Sequence, residues 1–152
     1  MPPIRSTPTG LVIRSAAASD VASIEQLVLD VVREVYGKLI PGDAPPTAGR
    51  WADGLVAEVA GRIVGVVVSD DDWVEDLWVA RGYRNCGIGA MLLTAAERQI
   101  AKRSYTEAQL RVVAENLDAR RFYAAHGWTE TVSYPHEKWG FAMVEMVKAL
   151  AV

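Results

Sequence analysis

The stretch "VARGYRNCGIGAMLLTAAERQ", Val79 to Gln99, is the most informative segment of this 152-residue chain. Two glycines, Gly87 and Gly89, sit one residue apart, Arg84 precedes them, and an apolar, alanine-rich run follows. That run places Ile88, Met91, Leu92, Ala95 and Ala96 on one side of a helix. A helix start leaves its first backbone N–H groups without partners and carries partial positive charge. It is an anion site wherever a ligand can come close. Gly87 and Gly89 have no Cβ to obstruct that approach. Asn85 tolerates a positive φ better than most residues, and Arg84 adds a guanidinium that can pair with phosphate oxygens. The segment therefore asks for a phosphate or pyrophosphate; the alternative is a strand-to-helix turn whose glycines serve packing alone. Among other phosphate loops, Walker A needs Gly-Lys-Ser/Thr where Gly89-Ala90-Met91 stands. A dinucleotide fingerprint wants a third glycine where Leu92 stands, and an acidic residue after the next strand, roughly where Glu115 lies.

On the N-terminal side, "LVIRSA" (Leu11–Ala16) reads as a strand. Ser19 and Asp20 offer an N-cap to a helix with Val21, Ile24, Leu27, Val28, Val31, Val32 and Val35 on one face. Gly37 is its expected stop. The breaker-rich "PGDAPPTAG" (Pro41–Gly49) reads as a loop, with a short helical piece over Ala48–Asp53. "LVAEVA" and "IVGVVVS" flank a tight turn at Gly61-Arg62, and the valine-rich "IVGVVVS" has the pattern of a strand buried on both faces. Asp70, Asp71 and Asp72 make an acidic turn before the strand "WVEDLWVA" (Trp73–Ala80). Beyond the glycine helix come the strand Ala108–Glu115, a helix over Asn116–Gly127, and two closing strands, Trp128–Tyr134 and Phe141–Leu150. Hairpins mixed with crossover helices imply a single α/β domain over residues 1–152, its sheet partly antiparallel, with residues 1–9 as a disordered tail.

Composition bounds the class. Apolar residues are 51% and charged residues 23%, ordinary for a folded domain. A net charge of −3 argues against non-specific nucleic-acid binding. The single cysteine rules out an internal disulfide and any multi-cysteine metal site, and it suits a reducing compartment. The start, "MPPIRSTPTG", has no apolar signal core, and no apolar run is long enough to span a bilayer. The cytoplasm is the expected location, without a membrane partner.

Two patterns then coincide. "YRNCGIGAMLL" resembles the acetyl-CoA signature of the GNAT superfamily of N-acetyltransferases, Arg/Gln-x-x-Gly-x-Gly/Ala. "NLDARRFYAAHGW" resembles the same family's Asn-x-x-Ala-x-x-x-Tyr-x-x-x-Gly-aromatic pattern, at Asn116, Ala119, Tyr123, Gly127 and Trp128. Asn85 stands where many relatives have glycine. The resemblance covers nearly the whole chain and implies a mostly antiparallel central sheet with splayed parallel strands, flanked by helices. It further implies that the pyrophosphate of acetyl-CoA rests on the amides of Asn85, Cys86, Gly87, Ile88, Gly89 and Ala90. The pantetheine arm would lie along Leu77, Trp78 and Val79, with Asn116, Ala119 and Tyr123 also facing the cofactor. A backbone N–H near Leu77 or Val79 would polarise the thioester carbonyl, and no metal is required. Family members often pair through their late strands, which makes "FAMVEMV" a candidate homodimer surface.

The implied reaction is attack of an amine on a thioester. Ammonium groups have pKa values near ~10, so a proton must leave. Tyr123 is the candidate donor to the departing thiolate; otherwise it is a core tyrosine beside Phe122. Glu75 and Asp76 are candidate bases, with water as the other possibility. "VEDLWV" resembles the corresponding strand of spermidine/spermine N-acetyltransferases, whose proposed base matches Glu75. Alternation puts Glu75 on the side of Leu77 and Val79 unless a bulge intervenes. Asp70, Asp71, Asp72, Glu75 and Asp76 would favour a cationic amine if they border the cleft; otherwise the three aspartates form a solvated turn. Tyr36, Trp51 and Asp76 are candidate substrate contacts, and Tyr36 and Trp51 could equally pack. Arg120 or Arg121 is either solvated or able to reach a phosphate. A non-catalytic acyl-CoA-binding module is the alternative to an enzyme.

Overall fold

The structure, a computed structural model, describes residues 6–39 and 50–151. Residues 1–5, the loop Pro41–Gly49 and the first two residues of the helical piece expected over Ala48–Asp53 lie outside these. Seven strands form one sheet: β1 (Val12–Ser15), β2 (Leu55–Val59), β3 (Arg62–Asp70), β4 (Trp73–Val79), β5 (Glu107–Val113), β6 (Thr129–Pro135) and β7 (Ala142–Ala149). Their spatial order is β1-β2-β3-β4-β5-β7-β6. Every neighbouring pair is antiparallel except β4 and β5. Three α-helices cover it: α1 (Val21–Tyr36), α2 (Ile88–Lys102) and α3 (Leu117–Ala125).

The valines of β3 explain the two-sided burial. Val64 and Val67 join a cluster with Ile88, Leu92, Leu93, Ala96 and Ile100 of α2. Val66 and Val68 join another with Ile24, Val28, Val31 and Val32 of α1. Each fully buried side chain of this size contributes ~1.5–3 kcal/mol, so the central strand is held from both faces. Gly65 makes the close approach of α2 possible, because a Cβ there would lie 2.8 Å from Leu92 Cδ1.

Several details differ from the sequence reading. The β2–β3 turn is Ala60-Gly61, with φ of 52° and 79°. Two successive positive φ values suit the twist of a two-residue hairpin, and Gly61 meets that need at its second position rather than its first. On α1, Val35 turns outward and Tyr36 is buried instead, being one helical turn on from Val32. On α2, Met91 is 41% exposed and Leu93 takes its place inside. Asp20 does not cap α1 through its side chain; a 3₁₀ turn, Ala18–Asp20, precedes the helix. The Asp20 carboxylate instead accepts from Ala17 N–H and Arg14. The helical piece around Trp51 is a 3₁₀ turn, Trp51–Asp53. β7 has strand neighbours on both sides, and the outer strand beyond it is β6, with Val132 exposed. Among the described residues no helix is long and apolar enough to cross a membrane.

Candidate active site

β4 and β5 run together only at Trp73–Gln109 and Val74–Leu110, then part. The cause lies within β4. Its register with β3 passes from Val74 opposite Ser69 to Asp76 opposite Val68, leaving Glu75 as an extra residue. A bulge of this kind bends its strand and increases the local twist. It also breaks simple alternation. Two residues separate Val74 from Leu77, which both pack on the α2 side, so alternation does not carry Glu75 to the side of Leu77 and Val79.

Hydrogen-bond phase decides which groups face the gap. Ala80 N–H donates to Val64 O at 2.9 Å. In an antiparallel ladder, alternate residues point their backbone groups toward the partner strand. Trp78 therefore spends its amide and carbonyl on β3, while those of Leu77 and Val79 point into the gap. Consistently, the Val79 carbonyl accepts from Arg84 Nε at 3.3 Å. The Trp78 indole lies on the α1 side, edge-on to Tyr36 with ring centroids 6.2 Å apart.

The glycine segment forms the mouth. Asn85 has φ of 61° and Gly87 has φ of 87°, with Gly87 as the N-cap of α2. The first helical bond there runs from Met91 N–H to Gly87 O, so the amides of Ile88, Gly89 and Ala90 precede the ladder and are left for an anion. Gly89 has a packing reason as well: a Cβ there would meet Phe122 Cζ of α3 at 3.4 Å. The buried Cys86 thiol donates to Tyr83 O at 2.8 Å, and Thr7 Oγ1 donates to Cys86 O at 3.0 Å. Arg84 is not a free cation. It forms a two-pronged pair with Glu34 of α1, at 2.9 and 2.8 Å, and holds that carboxyl below its ordinary pKa.

α3 forms the opposite bank. Asn116 caps it by accepting from Ala119 N–H at 3.1 Å, and its amide donates to the Tyr36 hydroxyl at 2.7 Å. Tyr123 is half-buried against the α2-side cluster. Its phenol is pushed well above the ordinary range, first by burial and then by the proximity of Tyr36 and Asp76. The Tyr123 hydroxyl thus belongs to α3 yet lies near groups on the α1 side. Asp76 is only 4% exposed and accepts from Trp78 Nε1 at 3.0 Å. Between the last turn of α1 and the first turn of α3 runs an open groove of about 680 Å³, bordered by Arg33, Tyr36, Leu39, Leu117 and Arg121 among others.

The structure thus brings Tyr36, Asp76, Leu77, Val79, Arg84–Ala90, Asn116, Ala119 and Tyr123 around one gap. Other candidates lie elsewhere. Trp51 is packed within the α1-side core. Asp70 pairs with Arg50 at 2.7 Å, and Asp72 accepts from Gln109. These aspartates sit at the joined end of β4 and β5, about 20 Å of strand from the mouth, because they form the β3–β4 turn. Arg120 is tied to Glu130 and to Ala114 O. Glu34 and Thr7 were missed by sequence reading; each acts on the glycine segment from far along the chain, and no local pattern marks either.

Comparison with known proteins matches this geometry. Residues 51–150 fit the family model of the acetyltransferase (GNAT) domain. An uncharacterized N-acetyltransferase of Methanocaldococcus jannaschii is 29% identical over 139 residues, covering 82% of each chain. A Salmonella typhimurium structure with its cofactor acetyl-CoA superposes with a TM-score of 0.76 at 18% identity, covering 95% of this chain and 96% of that one. The PaiA N-acetyltransferase of Thermoplasma acidophilum, in complex with coenzyme A, gives 0.72 at 16% identity, covering 93% and 99%. At such identities the two structures speak to the fold alone, and the family match speaks to kinship. With a parted β4–β5 pair, a glycine-rich helix start at its mouth and the family match over residues 51–150, the chain belongs to the GNAT family of acetyltransferases.

Proposed function

We propose that this protein transfers the acetyl group of acetyl-CoA directly to a primary amine of a small molecule or peptide, with both held in the gap between β4 and β5. The observation that carries this reading is the parting of the two strands after Val74, which leaves the backbone of Leu77 and Val79 facing a gap with anion-binding amides at its mouth. The amides of Ile88, Gly89 and Ala90, with the rest of the Asn85–Ala90 loop, hold the pyrophosphate. The backbone of Leu77 and Val79 pairs with the pantetheine amides like an added strand. Acetyl-CoA supplies an activated acyl thioester.

One of the outward amides on β4 donates to the thioester carbonyl and stabilises negative charge as it develops there. Tyr123 gives its proton to the departing thiolate. The phenol is protonated throughout the neutral range; burial raises its pKa further and so weakens it as an acid. The amine proton leaves through Asp76, Glu75 or water. The position of Asp76, buried beside Trp78 and near Tyr123, supports a carboxylate close to the reacting nitrogen. The acceptor approaches along the groove between α1 and α3, where Tyr36 forms part of the wall.

The test combines calorimetry with coenzyme A and a thiol-release assay across polyamines, aminoglycosides, amino acids and peptide N-termini. Binding plus release with one amine class is expected. Binding without release in any class would instead indicate a non-catalytic acyl-CoA module. Tyr123→Phe should lower kcat by about a hundredfold while coenzyme A affinity stays within about twofold, the size expected for loss of one general acid. Full turnover in that variant would remove Tyr123 from the chemistry.

A further inference from the structure

The last turn of α1 lies across the mouth of the gap and touches both banks. Glu34 grips Arg84, in the loop after β4, with two bonds of 2.8 and 2.9 Å. Two residues on, the Tyr36 hydroxyl accepts from Asn116, in the connection after β5, at 2.7 Å. Neither contact is loosely set. Arg84 is fixed at a third point through Nε to Val79 O, and a two-pronged guanidinium–carboxylate pair has strong directional preference. Three of the five guanidinium N–H groups are engaged in this way, which leaves two for an anion. Asn116 is fixed by capping α3. Tyr36 is 8% exposed and its ring is braced by Trp78. The sheet joins the banks only at Trp73–Gln109 and Val74–Leu110, at the far end of the gap. On the α2 side Phe122 packs beside Gly89. On the α1 side the span is made by this turn.

We propose that the turn Glu34–Tyr36 is a crossbar. Glu34 and Tyr36 are positioning residues that tie the start of α2 to the start of α3 and so set the distance between the two grips on coenzyme A. The link to coenzyme A rests on the function proposed above; the link between the banks does not. Because both bonds hang from one helical turn, releasing either should loosen both banks. Removing both should then cost less than the product of the separate losses, as coupled sites do.

The experiment compares wild type with Glu34→Gln, Tyr36→Phe, the double variant and the α1 core control Val31→Ala. It measures amide hydrogen exchange on the free proteins, melting temperature, and coenzyme A affinity by calorimetry. Glu34→Gln should speed exchange at Met91–Leu93, the first bonded amides of α2, and also, across the gap, at Ala119 and Arg120, which are bonded to Asn116; Tyr36→Phe should do the same in reverse. Each single variant should weaken coenzyme A binding by about fivefold, and the double by clearly less than the product. Val31→Ala should lower the melting temperature while leaving affinity unchanged. Exchange changes confined to the substituted bank would overturn the proposal. So would a double variant equal to the product, or tighter binding by Glu34→Gln, which would make the carboxylate a competitor for Arg84. Failure of wild type to bind coenzyme A would defeat the functional reading, and exchange in the free proteins would still decide the crossbar.

Discussion

Asp20 accepts two bonds from Arg14, at 2.8 and 3.0 Å, and one from Ala17 N–H at 2.7 Å. These hold its pKa at about 2, against an ordinary 3.8, with the Arg14 bond as the larger cause. The unfolded chain therefore takes up a proton first as pH falls. The stabilisation is fully present above the ordinary value and drains away between about pH 4 and about pH 2. Asp20→Asn should flatten this part of the acid limb when urea midpoints are followed against pH; an unchanged slope would mean that the cluster carries no linkage. The pairing itself was not legible, since Asp20 and Ser19 read as a helix cap and Arg14 as one residue of a strand. Asn85 and Asn116 were legible because their roles are local: a positive φ before a helix, and a side chain reaching the amide three residues on. Glu34 has no such signature. Its partner is fifty residues away, and only the path of α1 across the sheet brings them together.

β3 shows a dependence of one element on another that composition hides. Gly65 lies opposite Val79, and a Cβ there would stand 2.8 Å from Leu92 Cδ1 and 3.3 Å from Trp78 O. Gly65→Ala should cost about 1–3 kcal/mol through overpacking, read from chemical denaturation, and shift α2 outward together with the amides it presents. A neutral substitution would show that Leu92 can turn aside. Strand and helix assignments were largely readable, because valine-rich and alternating runs differ so clearly from the α1 and α2 patterns. The bulge at Glu75 was not. Nothing in "WVEDLWV" distinguishes a regular strand from one with an extra residue, since the choice is made by register against Val68 and Ser69. The candidate base inherits that ambiguity, and with it the question of which carboxylate faces the amine.

At the scale of the whole molecule, both cores share β3 and β4. Loss of either face removes support from the other, so unfolding should follow a single cooperative transition. Coenzyme A at a hundred times its Kd should then raise stability by about 2.7 kcal/mol. For a domain of this size that is roughly 5–10 °C in melting temperature, measurable by scanning calorimetry. A shift of that size seen equally with adenosine alone would place recognition in the nucleoside rather than in the diphosphate. The fold as a whole was legible because its element order is distinctive. The acceptor was not, because the groove beside Tyr36 presents Arg33, Arg121, Glu115 and Asp118 together, and such a mixture selects no single charge.

The brevity of the β4–β5 seam divides the sheet, though not the core beneath it, into two rafts, β1 to β4 and β5 to β7. β5 is paired with β7 along its whole length, yet it is stitched to β4 at just two positions. A tilt about those stitches would shear the side chains beneath α2, where Leu110, Val112, Val144 and Met146 share one buried cluster with Leu92, Leu93 and Ala96. Descendants of such a chain would therefore retune what fits in the slot by exchanging the side chains along it, since moving one raft against the other would spoil the interior they hold in common.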